Sequence, residues 1–116
     1  MAEAIVGYIK GKDPDVVSLV AMGDVGVEPN EEDESCAEYI ESRLRGHTPD
    51  FGEMKERIRA APSGAKFFDP AQTQFREQDF HLAMELDRFD FVLRVEGGEI
   101  PYVVRVNPLS AKGVVR

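Results

Sequence analysis

The chain is poor in the residues that staple or metallate small proteins: 116 residues hold one cysteine, Cys36, and two widely separated histidines, His47 and His81. A single thiol closes no internal disulfide, and so few soft ligands argue against a structural zinc site. No apolar stretch approaches the roughly 20 residues of a membrane-spanning helix, and no leader-like pattern opens the sequence. With the lone thiol, these absences point to a reducing cytoplasm. Basic charge is also scarce: the net charge is -8 and the pI about 4.7, with no long basic stripe. Such a surface repels phosphate backbones, so neither nucleic acid nor an anionic membrane is an expected partner. There is no internal repeat and no low-complexity tract. A hydrophobic content of 42% supplies one compact domain over 1–116, near the small end for an enzyme with its own pocket.

The most informative stretch is the junction from residue 16 to residue 40. Val16-Val17-Ser18-Leu19-Val20-Ala21-Met22 is β-branched and almost wholly apolar, as a strand covered on both faces would be. Gly23-Asp24-Val25-Gly26-Val27-Glu28-Pro29 breaks it, and a helix is expected over about 31–45, ended by Gly46. Strand-to-helix corners are where open α/β sheets gather functional groups, and here the corner carries Glu28, Glu31, Glu32, Asp33 and Glu34. A parallel partner strand for 16–22 is needed from elsewhere.

Around this junction, Ile5, Tyr8 and Ile9 stand at helical spacing with Gly11 as a stop. Asp50 followed by Glu53 opens a second amphipathic helix whose face continues through Met54, Ile58 and Ala61. A linker-like stretch holding Phe67 and Phe68 leads to a third helix over about 76–87. Residues 89–95 and 102–106, separated by Gly97-Gly98, read as a β-hairpin in which Phe89 and Phe91 pack into the core and Pro101 marks an edge arm. The fold class is α/β: a layered domain with a strand-helix unit, further helices and a C-terminal hairpin.

Projected at about 100° per residue, Cys36, Ala37, Ile40 and Leu44 form the inward stripe of the junction helix, with Asp33 near its centre. Glu34, Glu38 and Glu41 point outward, where Arg45 compensates Glu41 at i,i+4. Asp79 lies inward in the later helix, among Phe75, Phe80, Leu82 and Leu86. Each inward acid has two readings. A first-turn carboxylate caps a helix and meets its dipole, and Asn30 with Asp33 has the spacing of a capping box. The same carboxylate also suits a metal ion or proton transfer. Cys36 reads as a small apolar core residue rather than a nucleophile.

The segments Leu19-Val20-Ala21-Met22-Gly23, Glu28-Pro29, Glu32-Asp33-Glu34-Ser35-Cys36-Ala37-Glu38-Tyr39-Ile40, Lys66-Phe67-Phe68-Asp69, Asp79-Phe80 and Asp87-Arg88-Phe89-Asp90-Phe91-Val92 resemble, in this order, the 2-phosphosulfolactate phosphatase family. The resemblance covers the later half of that family's α/β/α fold, making the chain a partial, C-terminal phosphatase-like domain. It implies a Mg2+-dependent hydrolysis of 2-phospho-3-sulfolactate to sulfolactate and phosphate, a step of coenzyme M biosynthesis, or of a related small anionic phosphate ester. On that footing Asp33 with Glu32 is expected to hold Mg2+, and Asp33 and Asp79 to be catalytic. Arg43, Lys66 and Arg76 are expected to meet the substrate's anionic groups. The other expectation is a catalytically inactive half-domain, a structural or binding module that pairs with itself as a homo-oligomer or with a separate N-terminal half.

Overall fold

The computed structural model describes residues 1–23 and 25–108. The chain divides into two units, one built from Met1–Val17 and the chain from Asp87 onward, the other from Ser18–Leu86.

In the first unit, α1 (Ala2–Lys12) runs one residue past Gly11 and ends where Asp13 adopts a left-handed conformation, φ 48°. Its buried residues are Ala2 and Val6, so the packed face is turned away from the expected Ile5, Tyr8 and Ile9, which are half-buried. Tyr8 instead works at the rim, where its hydroxyl accepts a hydrogen bond from Arg94 Nη1 at 3.1 Å. The hairpin forms as expected but starts later: β1 (Val92–Glu96) pairs antiparallel with β2 (Tyr102–Val106), Val92 facing Val106 and Glu96 facing Tyr102. Phe89 and Phe91 precede β1, and Phe89 is exposed, which corrects the expectation that both fill the core. They contact each other, and the Arg105 guanidinium lies 4.0 Å over the Phe91 ring. Asp87 Oδ1 accepts from the Glu3 N–H at 3.0 Å, tying the start of α1 to the segment before β1.

The second unit is helical. α2 (Glu31–Leu44) begins at Asn30, whose Oδ1 accepts from the N–H groups of Glu32 at 2.9 Å and Asp33 at 3.3 Å. These bonds satisfy donors that an α-helix leaves open in its first turn. α3 (Phe51–Ala60) is capped by Asp50, which accepts from Glu53 N–H at 3.2 Å, and buries Met54 and Ile58 as its pattern required. The two helices meet through Tyr39 and Phe51, whose rings are edge-on at 6.2 Å, and through Arg57, which reaches Glu31 at 2.7 Å and Glu38 at 2.9 Å.

The linker-like stretch is structured. Pro62–Ala65 forms α4, a short helix with proline in its first turn, and Lys66–Phe68 a 3-10 turn. Both lead into α5 (Glu77–Ala83), shorter than the expected 76–87. Phe80, 1% exposed, is the centre of this region, with Phe68 at 5.0 Å and Phe67 at 6.2 Å between ring centroids. Gly64 is buried where a Cβ would run into the carbonyl of Ile58, so α4 can lie close on α3 only with glycine there.

The expected strand over 16–22 is the main departure. Its residues take up no regular secondary structure: no backbone hydrogen bond joins them to another described residue, and Val20 and Met22 are 80% and 73% exposed. The expected strand is absent, and the strand-helix unit is represented by its helix alone. The two-stranded sheet of the first unit is the sheet of the described residues, and the fold class stands as a mixture of helices with a small sheet.

Candidate functional site

The corner between residues 18–22 and α2 is held by one carboxylate. Gly23, at φ 75°, turns its N–H onto Asp33 Oδ2 at 2.9 Å. A side chain at this glycine would collide with the carbonyl of Glu28, so both the left-handed backbone and the tight loop require glycine. Asp33 is half-buried. It lines a groove of about 280 Å³ with Leu19, Val20, Ala21, Met22, Cys36, Ala37 and Ile40. The groove is an apolar trough with a single acid among its described lining residues.

α2 accordingly has two working sides. Ser35, Tyr39 and Ile40 are buried, Ser35 and Tyr39 on the side where Arg57 and Phe51 approach, while Ala37 and Leu44 are half-buried and Cys36 is exposed. The inward stripe expected from Cys36 to Leu44 is rotated toward α3, because α3 supplies the charged and aromatic partners and the 18–22 segment covers the other side only thinly. Partial burial in the groove, and next the charge of Asp33, push the Cys36 thiol above its ordinary pKa. A thiol so shifted stays protonated at neutral pH and is a poor nucleophile, while its exposed side chain corrects the expectation that Cys36 is a core residue.

The other residues singled out in the sequence do not converge on Asp33. Glu32 is half-buried beside it in the first turn of α2. Asp79 is exposed on α5 and the neighbouring Phe80 takes the interior position, which corrects the expectation that Asp79 points inward. The reason is local: the Phe67 and Phe68 rings gather around residue 80, and the helix turns to place Phe80 between them. Arg43 Nη1 donates to the His47 carbonyl at 3.2 Å, closing the end of α2. Lys66 Nζ lies 4.4 Å over the Phe75 ring. Arg76 is exposed and reaches Gln78 at 3.4 Å. None of these cations lines the Asp33 groove. Among the described residues no group of three or more His, Cys, Asp or Glu is gathered as a metal cluster.

Two features escaped the sequence reading. Arg57, bonded to Glu31, Glu38 and the Ser35 hydroxyl, is the hub between α2 and α3. Its position three residues after Met54 marks it only as a polar helix residue, so nothing local announces the role. The Phe67, Phe68, Phe75 and Phe80 cluster, with Arg59 4.4 Å over Phe68, was visible as aromatic density but not as a core.

Comparison with known proteins gives one direction. The chain is 33% identical over 93 residues to a protein of Bacillus subtilis (strain 168) named "Probable 2-phosphosulfolactate phosphatase". The match takes in 78% of this chain and 39% of that protein, so the chain spans about two fifths of the length of the curated relative it matches. No family model matches the chain, and no solved structure matches it significantly. The resemblance to the phosphatases is thus supported at the level of sequence. No helix of the described residues is long and apolar enough to cross a membrane.

Proposed function

We propose that this chain takes part in the hydrolysis of a small anionic phosphate ester, 2-phospho-3-sulfolactate or a related compound, with Mg2+ as cofactor. The observation that carries the reading is the 33% identity over 93 residues to the Bacillus subtilis protein. The corner at Asp33 is compatible with it. Magnesium is commonly held by one or two protein carboxylates together with substrate phosphate and water, so a large cluster of acids is not required. Asp33 engages Gly23 through Oδ2, which leaves Oδ1 on a half-buried carboxylate beside a groove. Asp33 and the adjacent Glu32 are the residues that would hold the ion. When bound, Mg2+ neutralises phosphate oxygens and favours water as the attacking group.

What the chain itself does in this reading is to position. The Gly23 N–H fixes the rotamer of Asp33, and the Asn30 cap fixes the first turn of α2 on which Asp33 and Glu32 ride. Leu19, Ala21 and Ile40 give the carboxylate an apolar flank. Asp79, exposed on α5, is assigned the weaker role of a proton-transfer group. Arg43, Lys66 and Arg76 are proposed to meet the anionic ends of the substrate, Arg43 after exchanging its bond to the His47 carbonyl.

The test is phosphate release from 2-phospho-3-sulfolactate by the purified chain, with and without Mg2+ and after addition of a chelator. Expected are release that needs the metal and its loss in Asp33→Asn. Metal-independent release, or full activity and magnesium affinity in Asp33→Asn, would overturn the assignment.

A further inference from the structure

The start of α2 carries acids on more than one side, and a single guanidinium from α3 sorts them. Glu31, Glu32, Asp33 and Glu34 are consecutive, and Glu38 follows a turn further on. Arg57 donates through Nε to Glu31 Oε1 at 2.7 Å, and through Nη2 to Glu38 Oε2 at 2.9 Å and to the Ser35 hydroxyl at 3.3 Å. Ser35, 2% exposed, donates in turn to Glu31 Oε1 at 3.0 Å. Residues 31, 35 and 38 thus form one stripe of the helix, facing α3. Residue 33, about 200° around the axis from residue 31, lines the groove with Cys36, Ala37 and Ile40. Glu31 and Glu38 are compensated on the α3 side, and Asp33 stands on the other with its tie to the Gly23 N–H.

We propose that Arg57 is a positioning residue for the cation site at Asp33, taking Glu31 and the charge of Glu38 out of competition for the ion. The inference rests on the Mg2+ reading given above. Carboxylates three residues apart on a helix are neighbours, so once Arg57 is gone Glu31 and the exposed Glu34 can grip a divalent cation between them. An ion held there is diverted from the groove. Arginine suits the task, because its planar fork reaches two carboxylates and a hydroxyl together, which a lysine ammonium does less well. The consequence is opposite in sign to that of a purely structural tie. Losing a structural tie loosens α2 and weakens metal binding. Losing Arg57 removes a positive charge and releases an acid beside the dication, and so tightens it.

Titration calorimetry of the full chain with Mg2+ at low salt tests this directly. Arg57→Gln is expected to bind Mg2+ about threefold or more tightly than the parent, while phosphate release at limiting Mg2+ falls. Combining Arg57→Gln with Glu31→Gln restores the charge balance and removes the released acid. The Mg2+ affinity of that double variant is expected within about twofold of the parent's, a rescue that a tie lost on both sides could not give. Arg57→Lys, milder on the fold, keeps the charge but reaches fewer acceptors, and is expected to shift the affinity in the same direction by less; it decides the matter if Arg57→Gln is too unstable to titrate. Unchanged or weaker Mg2+ binding in Arg57→Gln, a fall in Arg57→Lys, or a double variant no nearer the parent than the single overturns the proposal. A parent chain that binds no Mg2+ sinks the function reading and this inference with it. A parent that binds Mg2+ with an affinity indifferent to Arg57 sinks this inference alone.

Discussion

The Gly23 N–H donates to Asp33 Oδ2 at 2.9 Å, ten residues on and across the corner between residues 18–22 and α2. The acid proposed above to hold Mg2+ is a structural tie in this fold. The two roles separate by substitution. Asp33→Asn keeps a carbonyl oxygen for the Gly23 N–H and removes the charge, so stability is expected to hold while metal-dependent phosphate release is lost. Asp33→Ala removes both and is expected to cost about 1–2 kcal/mol besides, the range for stranding a partly buried donor. Urea unfolding of the two variants, read beside phosphate release, distinguishes them. Equal destabilisation of both would mean that the carboxylate charge, not the acceptor, holds the corner.

Gly23 makes the complementary prediction. At φ 75° an alanine is strained, and its Cβ would run into the Glu28 carbonyl. Gly26, at φ 71°, has the same backbone conformation but nothing within 4 Å of a built Cβ. Gly26→Ala is expected to cost about 1–2 kcal/mol, the left-handed penalty alone. Gly23→Ala should cost more, by whatever the loop loses in moving away from Glu28. Equal urea midpoints would show that the loop relaxes freely.

What was legible in the sequence follows how local each signal is. Asn30 and Asp50 are caps because a short polar side chain before a periodic segment has few other uses, and both bonds are present. Met54 and Ile58 repeat at helical spacing and are buried. The hairpin at 92–106 was readable from alternation around two glycines. Rotations were harder: Phe80 takes the interior in place of Asp79, and Ser35 and Tyr39 in place of Cys36. A helical wheel leaves such one-residue shifts undecided until the neighbouring rings and ion pairs are known. Apolar, β-branched character at 16–22 suggested a buried strand, and none forms there, because strand pairing and burial depend on partners that a local pattern does not contain. At the corner the sequence placed Asp33 on the inner side of α2, and there it is half-buried and lines the groove. The sequence scattered the cations, since proximity of Arg43, Lys66 and Arg76 along the chain is no guide to their convergence in space.

Cys36 reports on the same corner without any assay of activity. Partial burial and, second, the charge of Asp33 raise its thiol above the ordinary value of 9.0. Alkylation by iodoacetamide at neutral pH should be slower than that of an unhindered thiol, in proportion to the smaller thiolate fraction. Asp33→Asn should speed it partly, leaving the contribution of burial. The pH profile of the alkylation rate gives the midpoint. A midpoint at or below the ordinary thiol value would remove Cys36 from the groove.

Acid sensitivity is expected from Asp69. Its carboxylate accepts from the Ala71 N–H at 2.9 Å and from the Gln72 amide at 3.1 Å, and these bonds lower its pKa from 3.8. A depressed folded-state pKa gives stability that is present above 3.8 and is lost as pH falls through the lowered value. Asp69→Asn should therefore show a shallower decline in urea midpoint over that acidic window, with little change near neutrality. The site is solvent-exposed, so the effect should shrink as salt is raised.

Phe80 carries the heaviest packing prediction. It is 1% exposed, and the Phe67 and Phe68 rings close over it between α5 and the 3-10 turn. Phe80→Ala is expected to cost about 3–5 kcal/mol, from lost burial and the cavity left behind. Small domains typically have about 5–15 kcal/mol in all, so the loss takes a large part of the reserve. Phe80→Leu retains most of the volume and should cost less than about 1.5 kcal/mol if the neighbouring rings close in. Phe89 is the control: at 47% exposure its replacement by alanine should cost far less than that of Phe80. Urea unfolding of the three variants ranks them, and a Phe80→Ala midpoint as mild as that of Phe89→Ala would show that this cluster is not the core of its unit.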